Sequence, residues 1–227
     1  MLSDTVETDY LKILPHSRGF LINDIPATLA NVTRNDYRVD LMLGDKAAFL
    51  VEHVLGCLLL AGVTSAKVYG TATKYDLSRQ SFKDALKLGL PPSSVIGNPY
   101  GTLDTKLYNK LVDATVEDKE RAKVGIAREA EFSSPYGTIK VSPSDEFEVC
   151  VSHGKLLYEF SFEEEKIMEV VRARTPYLDG LDERTIPHVV GDVVADIWGM
   201  GGINCAKIEI IPRREYHRIT IDILRKI

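Results

Sequence analysis

Cysteine is scarce in these 227 residues, and its three positions, Cys57, Cys150 and Cys205, are far apart, odd in number and never spaced C-x-x-C. That pattern argues against a disulfide framework and fits reduced core residues in a cytoplasmic protein. A basic excess is missing too. The net charge is −5 and no basic run with interleaved aromatics occurs, so no nucleic-acid surface is expected. Nor is there a long charge-free apolar run. The most apolar stretch, Ala47 to Val63, carries Glu52 and His53 in its middle, which reads as a buried helix with no stable membrane insertion. The opening MLSDTVETDYLKILP lacks a basic segment followed by an apolar one, so no signal peptide is expected.

What is present is ordinary for a globular protein: 44% hydrophobic and 27% charged residues, in a chain long enough for one large domain or two small ones. Residues 10–45 alternate short apolar stretches with Gly, Asn, Asp and Pro and read as strands joined by tight turns. Ala47 to Gly62 reads as a helix, SAKVYG as a strand, and RQSFKDALKLGLPP as an amphipathic helix closed by Gly89 and Pro91-Pro92. Residues 93–124 read as a connection between two halves, with a short helix near Lys106 to Asp113. Strand patterning resumes over residues 127–163 with turns at Ser134-Pro135 and His153-Gly154. A helix in EEEKIMEVVRART, a loop, a strand CAKIEIIP and a helix REYHRITIDILRKI complete the chain. The resulting division is a first α+β domain over 1–92, a connecting segment over 93–124 and a second α+β domain over 125–227.

The segment TIPHVVGDVVADIWGMGG, Thr185 to Gly202, organises the rest. Thr185 suits an N-cap, Pro187 suits a first turn, and Gly199, Gly201 and Gly202 suit a stop, which together predict one short helix. Its apolar residues cover most of the circumference, so burial nearly all round is expected. Yet His188, Asp192 and Asp196 fall at i, i+4 and i+8, in one narrow line. Buried without partners they would be costly, so a metal, a hydrogen-bond network or both must compensate them. From this helix alone the two readings stand level.

An internal echo supplies a partner. His53-Val54-Leu55-Gly56 and His188-Val189-Val190-Gly191 each begin a buried helix that leads into Ala66-Lys67-Val68 or Ala206-Lys207-Ile208. The repeated order favours duplication and predicts two similar α+β domains, each a sheet with helices, packed helix to helix with a metal site between them. His53, His188 and Asp192 are the candidate ligands, with Glu52, Asp196 and His217 nearby. Two imidazoles and a carboxylate leave an open position on Zn²⁺, the pattern of catalytic zinc sites; Fe²⁺ accepts the same set.

Leu50-Val51-Glu52-His53, Arg172-Ala173-Arg174-Thr175, His188 with Asp192 and Asp196, and His217 before an apolar helix occur in an order that resembles the UDP-3-O-acyl-N-acetylglucosamine deacetylase family, the zinc enzyme of lipid A synthesis. The resemblance covers roughly residues 25–225. It implies two α+β domains enclosing zinc, with His53, His188 and Asp192 as ligands and Glu52 as general base. It also implies His217 as general acid or charge stabiliser, Asp196 as its partner, and the Thr175 hydroxyl facing the scissile carbonyl. The chain departs from the family in several ways. Only twelve residues separate Thr175 from His188, too few for the inserted unit that forms an acyl-chain passage. Val189 stands where the family has a lysine for the diphosphate, Pro176-Tyr177 replaces an aromatic-Gly step, and the N-terminal part looks short by one or two strands.

The expected activity is therefore hydrolysis of an N-acylated small molecule, an acylated amino sugar or related amide, by a shortened relative. The alternative is a non-catalytic relative that binds a metal or ligand; oligomeric state is not legible. Each site residue also has a structural reading. Glu52 can pair with Arg172 or Arg174, the Thr175 hydroxyl can turn back to the backbone, and His217 can be a surface residue near a helix start. His153 and His16 read as turn and loop residues outside the site.

Overall fold

The computed structural model describes residues 1–71, 80–96, 103–116, 122–176 and 180–227. Strands β1 (Val6–Glu7), β2 (Leu11–Pro15), β3 (Phe20–Ile22), β4 (Ile25–Pro26), β5 (Val32–Asn35), β6 (Val39–Leu43) and β7 (Lys46–Phe49) lead into helix α1 (Val51–Leu60). Strand β8 (Ala66–Gly70) and helices α2 (Gln80–Lys87) and α3 (Thr105–Asp113) follow. Strands β9 (Ala130–Ser134), β10 (Gly137–Pro143), β11 (Phe147–His153) and β12 (Leu156–Phe160) precede helices α4 (Glu164–Arg172) and α5 (Ile186–Val193). A π-helix (Val194–Met200), strand β13 (Ala206–Pro212) and helix α6 (His217–Leu224) complete the order. The chain is thus mixed α+β, as expected, with three sheets among the described residues.

Two of the sheets have five strands in orders β1-β2-β8-β3-β4 and β9-β10-β13-β11-β12, the same topology twice. In each, the central strand pairs antiparallel on one side and parallel on the other. The agreement reaches single residues. Ala66 on β8 lies between Pro15 and Phe20, and Ala206 on β13 lies between Pro143 and Phe147. The echo heard in Ala-Lys-Val and Ala-Lys-Ile is therefore one register used twice. Along β13 burial alternates, with Ala206, Ile208 and Ile210 inward and Lys207, Glu209 and Ile211 outward, the period of a sheet covered on one face. Helix α6 covers β9 and β10, and α5 covers β11 and β12.

Between the two sheets' helices, α1 packs directly on α5 and on the π-helix. All ten residues of α1 and all eight of α5 are buried. Gly56 and Gly191, the fourth residues of the two echoed tetrapeptides, meet at this crossing. A Cβ on Gly56 would lie 3.0 Å from the Gly191 carbonyl oxygen, so glycine is what lets the backbones approach. Leu103 fills the groove beside them, 3.0 Å from the same Cβ position.

Two predicted elements change character. Ala47 to Phe49 belong to β7, paired with β6, and the helix starts only at Val51. The cause is Leu50, whose φ of +61° is left-handed and cannot belong to a right-handed helix. The segment Thr185 to Gly202 is also not one uniform helix: α5 ends at Val193 and widens into the π-helix, which contains Gly199. Thr185 precedes α5 but does not cap it with its side chain. Its hydroxyl instead donates to the Gly180 carbonyl, 2.7 Å away. Tyr177 and residues 97–102 and 117–121 of the 93–124 connection lie outside the described residues; within the described remainder, α3 packs on α1.

Candidate metal centre

The small sheet β5-β6-β7 sets the start of α1. Arg38 Nε grips the Asp40 carboxylate at 2.9 and 3.0 Å, and Asp40 Oδ1 accepts the Leu50 N–H at 3.1 Å. That bond holds the left-handed residue that turns β7 into α1. From β6 of the same sheet, the Val39 N–H donates to Glu52 Oε2 at 2.9 Å. Glu52 therefore hydrogen-bonds to backbone, and its other oxygen, Oε1, lies 4.0 Å from His53 Nε2. Burial raises the Glu52 pKa to about 8, against the pull of the His217 charge.

On the facing helix, His188 has no exposed surface. Its Nδ1 lies 3.3 Å from the Ala173 carbonyl oxygen, which can only accept, so Nδ1 carries the proton and Nε2 offers a lone pair. That Nε2 has no hydrogen-bond partner among the described residues, and Asp192 Oδ2 lies 3.5 Å from it. Burial lowers the His188 pKa to about 4, which keeps the ring neutral as a ligand must be. The His53 and His188 rings meet edge to face with centroids 5.0 Å apart. Donor atoms of His53, His188 and Asp192 all lie within 4.8 Å of one another. These three buried residues can hold a metal ion, and the buried Nε2 of His188 and Oδ1 of Asp192, neither with a hydrogen-bond partner, are the sort of atoms a cation would satisfy.

His217 opens α6 and is buried, so its reading as a surface residue does not hold. Its Nδ1 lies 2.8 Å from Asp196 Oδ2, and its Nε2 lies 3.6 Å from Asp192 Oδ2. Burial alone would lower its pKa; the two carboxylates outweigh that and raise it to about 10, so the ring is a cation at neutral pH. Asp196 also accepts from the Thr220 hydroxyl, and Asp192 accepts from the Tyr216 hydroxyl. His53, Asp192, His217 and Thr175 line one cavity of about 580 Å³. Tyr37, His153, Arg213, Arg214 and Tyr216 also line it.

Sequence comparison places the chain in no group. It matches no protein-family model and no curated protein. The geometry groups His53, His188 and Asp192, sets Glu52, Asp196 and His217 against them, and leaves Thr175 on the wall of the same cavity.

Several contributors had no signal in the sequence. Thr220 and Tyr216 belong to no repeated motif, and the Val39 N–H and Ala173 carbonyl are backbone groups that any residue would supply. His153, read as a turn residue away from the site, is the last residue of β11 and lines the cavity.

Proposed function

We propose that this protein is a zinc-dependent amidohydrolase, a shortened and divergent relative of the UDP-3-O-acyl-N-acetylglucosamine deacetylases, which removes an acetyl group from an acylated amino sugar or related small amide. The observation that carries this reading is the convergence of three buried donors, His53 from α1 and His188 and Asp192 from α5, with Glu52 beside them. On this reading the halves 1–92 and 125–227 are two layered domains with the metal between their helices.

His53, His188 and Asp192 would hold the zinc ion, which would supply Lewis acidity to an amide carbonyl and to a water molecule. Glu52 accepts the proton of the attacking water. Its bond from the Val39 N–H fixes Oε2 and leaves Oε1 on the side of His53. Positive charge at the three donors favours the carboxylate form of Glu52 that a base needs. Hydrolysis breaks the C–N bond, adds water to the acyl carbon and sends one proton to the departing amine. His217, held as a cation by Asp196 and Asp192, is the donor for that proton, and Thr175 stands on the cavity wall toward the substrate carbonyl. Asp36, Arg213, Arg214 and Glu215 on the lining offer polar contacts to a substituted amide.

Purified protein is expected to hold about one zinc per chain and to release acetate from N-acetylated amino sugars. Iron, if native, will be recovered after anaerobic purification. Glu52→Ala should lower turnover by about 10²–10⁴-fold at unchanged metal content. Full turnover in that variant removes the general-base role. No turnover by the zinc-loaded wild type on a broad panel of N-acetylated sugars and amides would favour a non-catalytic metal- or ligand-binding relative.

A further inference from the structure

Tyr216 takes no part in the roles above, yet it touches two of the groups that carry them. It is buried at the N-cap of α6, and its phenol reaches across to α5, where the hydroxyl donates to Asp192 Oδ2. Its ring stacks on the His217 imidazole with centroids 5.0 Å apart and planes 28° from parallel. It also lines the cavity with both of them.

The carboxylate torsion of aspartate is broad and weakly defined by itself. For Asp192, Oδ1 has no hydrogen-bond partner among the described residues, so the bond from Tyr216 to Oδ2 is what sets the plane of the group. His188 Nε2 and His217 Nε2 lie 3.5 and 3.6 Å from the same Oδ2. A rotation of Asp192 would alter both distances together.

We propose that Tyr216 is a positioning residue that aims the Asp192 carboxylate at the cation shared with His53 and His188, and that its ring holds His217 in place beside them. The inference rests on the metal-centre reading above. It makes the turn between β13 and α6 part of the metal-binding apparatus, although no residue of that turn contributes a ligand atom. Partners of this kind fix ligand orientation, and their loss commonly lowers metal affinity by about 10–100-fold.

The test uses the full chain as wild type, Tyr216→Phe and Tyr216→Leu. Zinc affinity is read by competition with a chromophoric chelator, the Co²⁺-loaded absorption spectrum reports coordination geometry, and imidazole NMR reports His217. Tyr216→Phe keeps the ring and loses the hydroxyl: zinc affinity should fall by about 10–100-fold and the Co²⁺ bands should shift, with the His217 resonances moving only as far as the loss of Asp192 alignment requires. Tyr216→Leu, which also removes the stacked ring, should move the His217 resonances further. A Phe variant with wild-type zinc affinity and a wild-type Co²⁺ spectrum overturns the proposal while leaving the metal centre standing. A wild-type chain that takes up neither zinc nor Co²⁺ is a different result, and it overturns the metal centre and the role of Tyr216 together.

Discussion

At the scale of single residues, the site holds two histidines in opposite charge states. Burial pushes His188 to about 4 against its bond to the Ala173 carbonyl, whereas His217 faces Asp196 and Asp192 and is held near 10. In the metal-free protein, imidazole NMR should therefore find His217 still charged at pH 8 and His188 neutral at pH 6; the reverse assignment would reject the division of roles. Glu52 adds a dependence of stability on pH. Its carboxyl is protonated in the folded metal-free chain up to about 8, whereas the unfolded chain ionises near 4.5. Between those values the folded state binds more protons, so stability falls as pH rises. Glu52→Gln removes that slope, together with the lesser part of the His217 shift that the Glu52 charge supplies. In denaturant titrations of the metal-free chains, the Gln variant should gain on the wild type by up to roughly a few kcal/mol from pH 5 to pH 8. A constant difference across that range would show that burial does not control Glu52.

At the scale of elements, the crossing of α1 and α5 decides whether His53 and His188 can meet. Gly56 sits against the Gly191 carbonyl with room for a hydrogen and little else. Gly56→Val should force the helices apart, costing about 1–3 kcal/mol as overpacking does and lowering zinc affinity at a point that touches no ligand. Unchanged chemical denaturation and unchanged affinity would mean that the crossing is not tight. The glycines, the histidines and the order of strands and helices were legible because a repeat, an apolar run and turn residues are properties of the chain itself. The beginning of α1 was not. Ala47 to Phe49 are as apolar as the helix that follows, and only the ladder to β6 and the Asp40 bond to the Leu50 N–H separate them. The π-helix was equally hidden. Its hydrogen-bond shift lies in the backbone, and it carries Asp196 within hydrogen-bond reach of both His217 and Thr220 on α6. The line at i, i+4 and i+8 picked out three buried polar side chains on the premise of a regular helix, and that premise fails at its last member, Asp196.

At the scale of the whole molecule, the three candidate ligands come from two helices that belong to two sheets of the same topology. Asp192 and Asp196, with His188, face His217 and Glu52 in one buried cluster, in which polar atoms such as His188 Nε2 find no hydrogen-bond partner among the described residues. A divalent ion that binds this arrangement, and binds the unfolded chain far more weakly, must stabilise the fold by mass action. At free zinc about a thousand times its dissociation constant the gain is about 4 kcal/mol. For a chain of this length that corresponds to a rise of roughly 8–16 °C in the unfolding midpoint. Chelation should reverse the rise, and Asp192→Ala, which removes a donor from only one of the two helices, should abolish it. The comparison separates a shared site from a local one, because an ion gripped by α5 alone would leave a His53→Ala variant still stabilised by zinc. If His53→Ala retains the full zinc-dependent shift, the two helices do not hold one ion and the catalytic arrangement built on them falls with it.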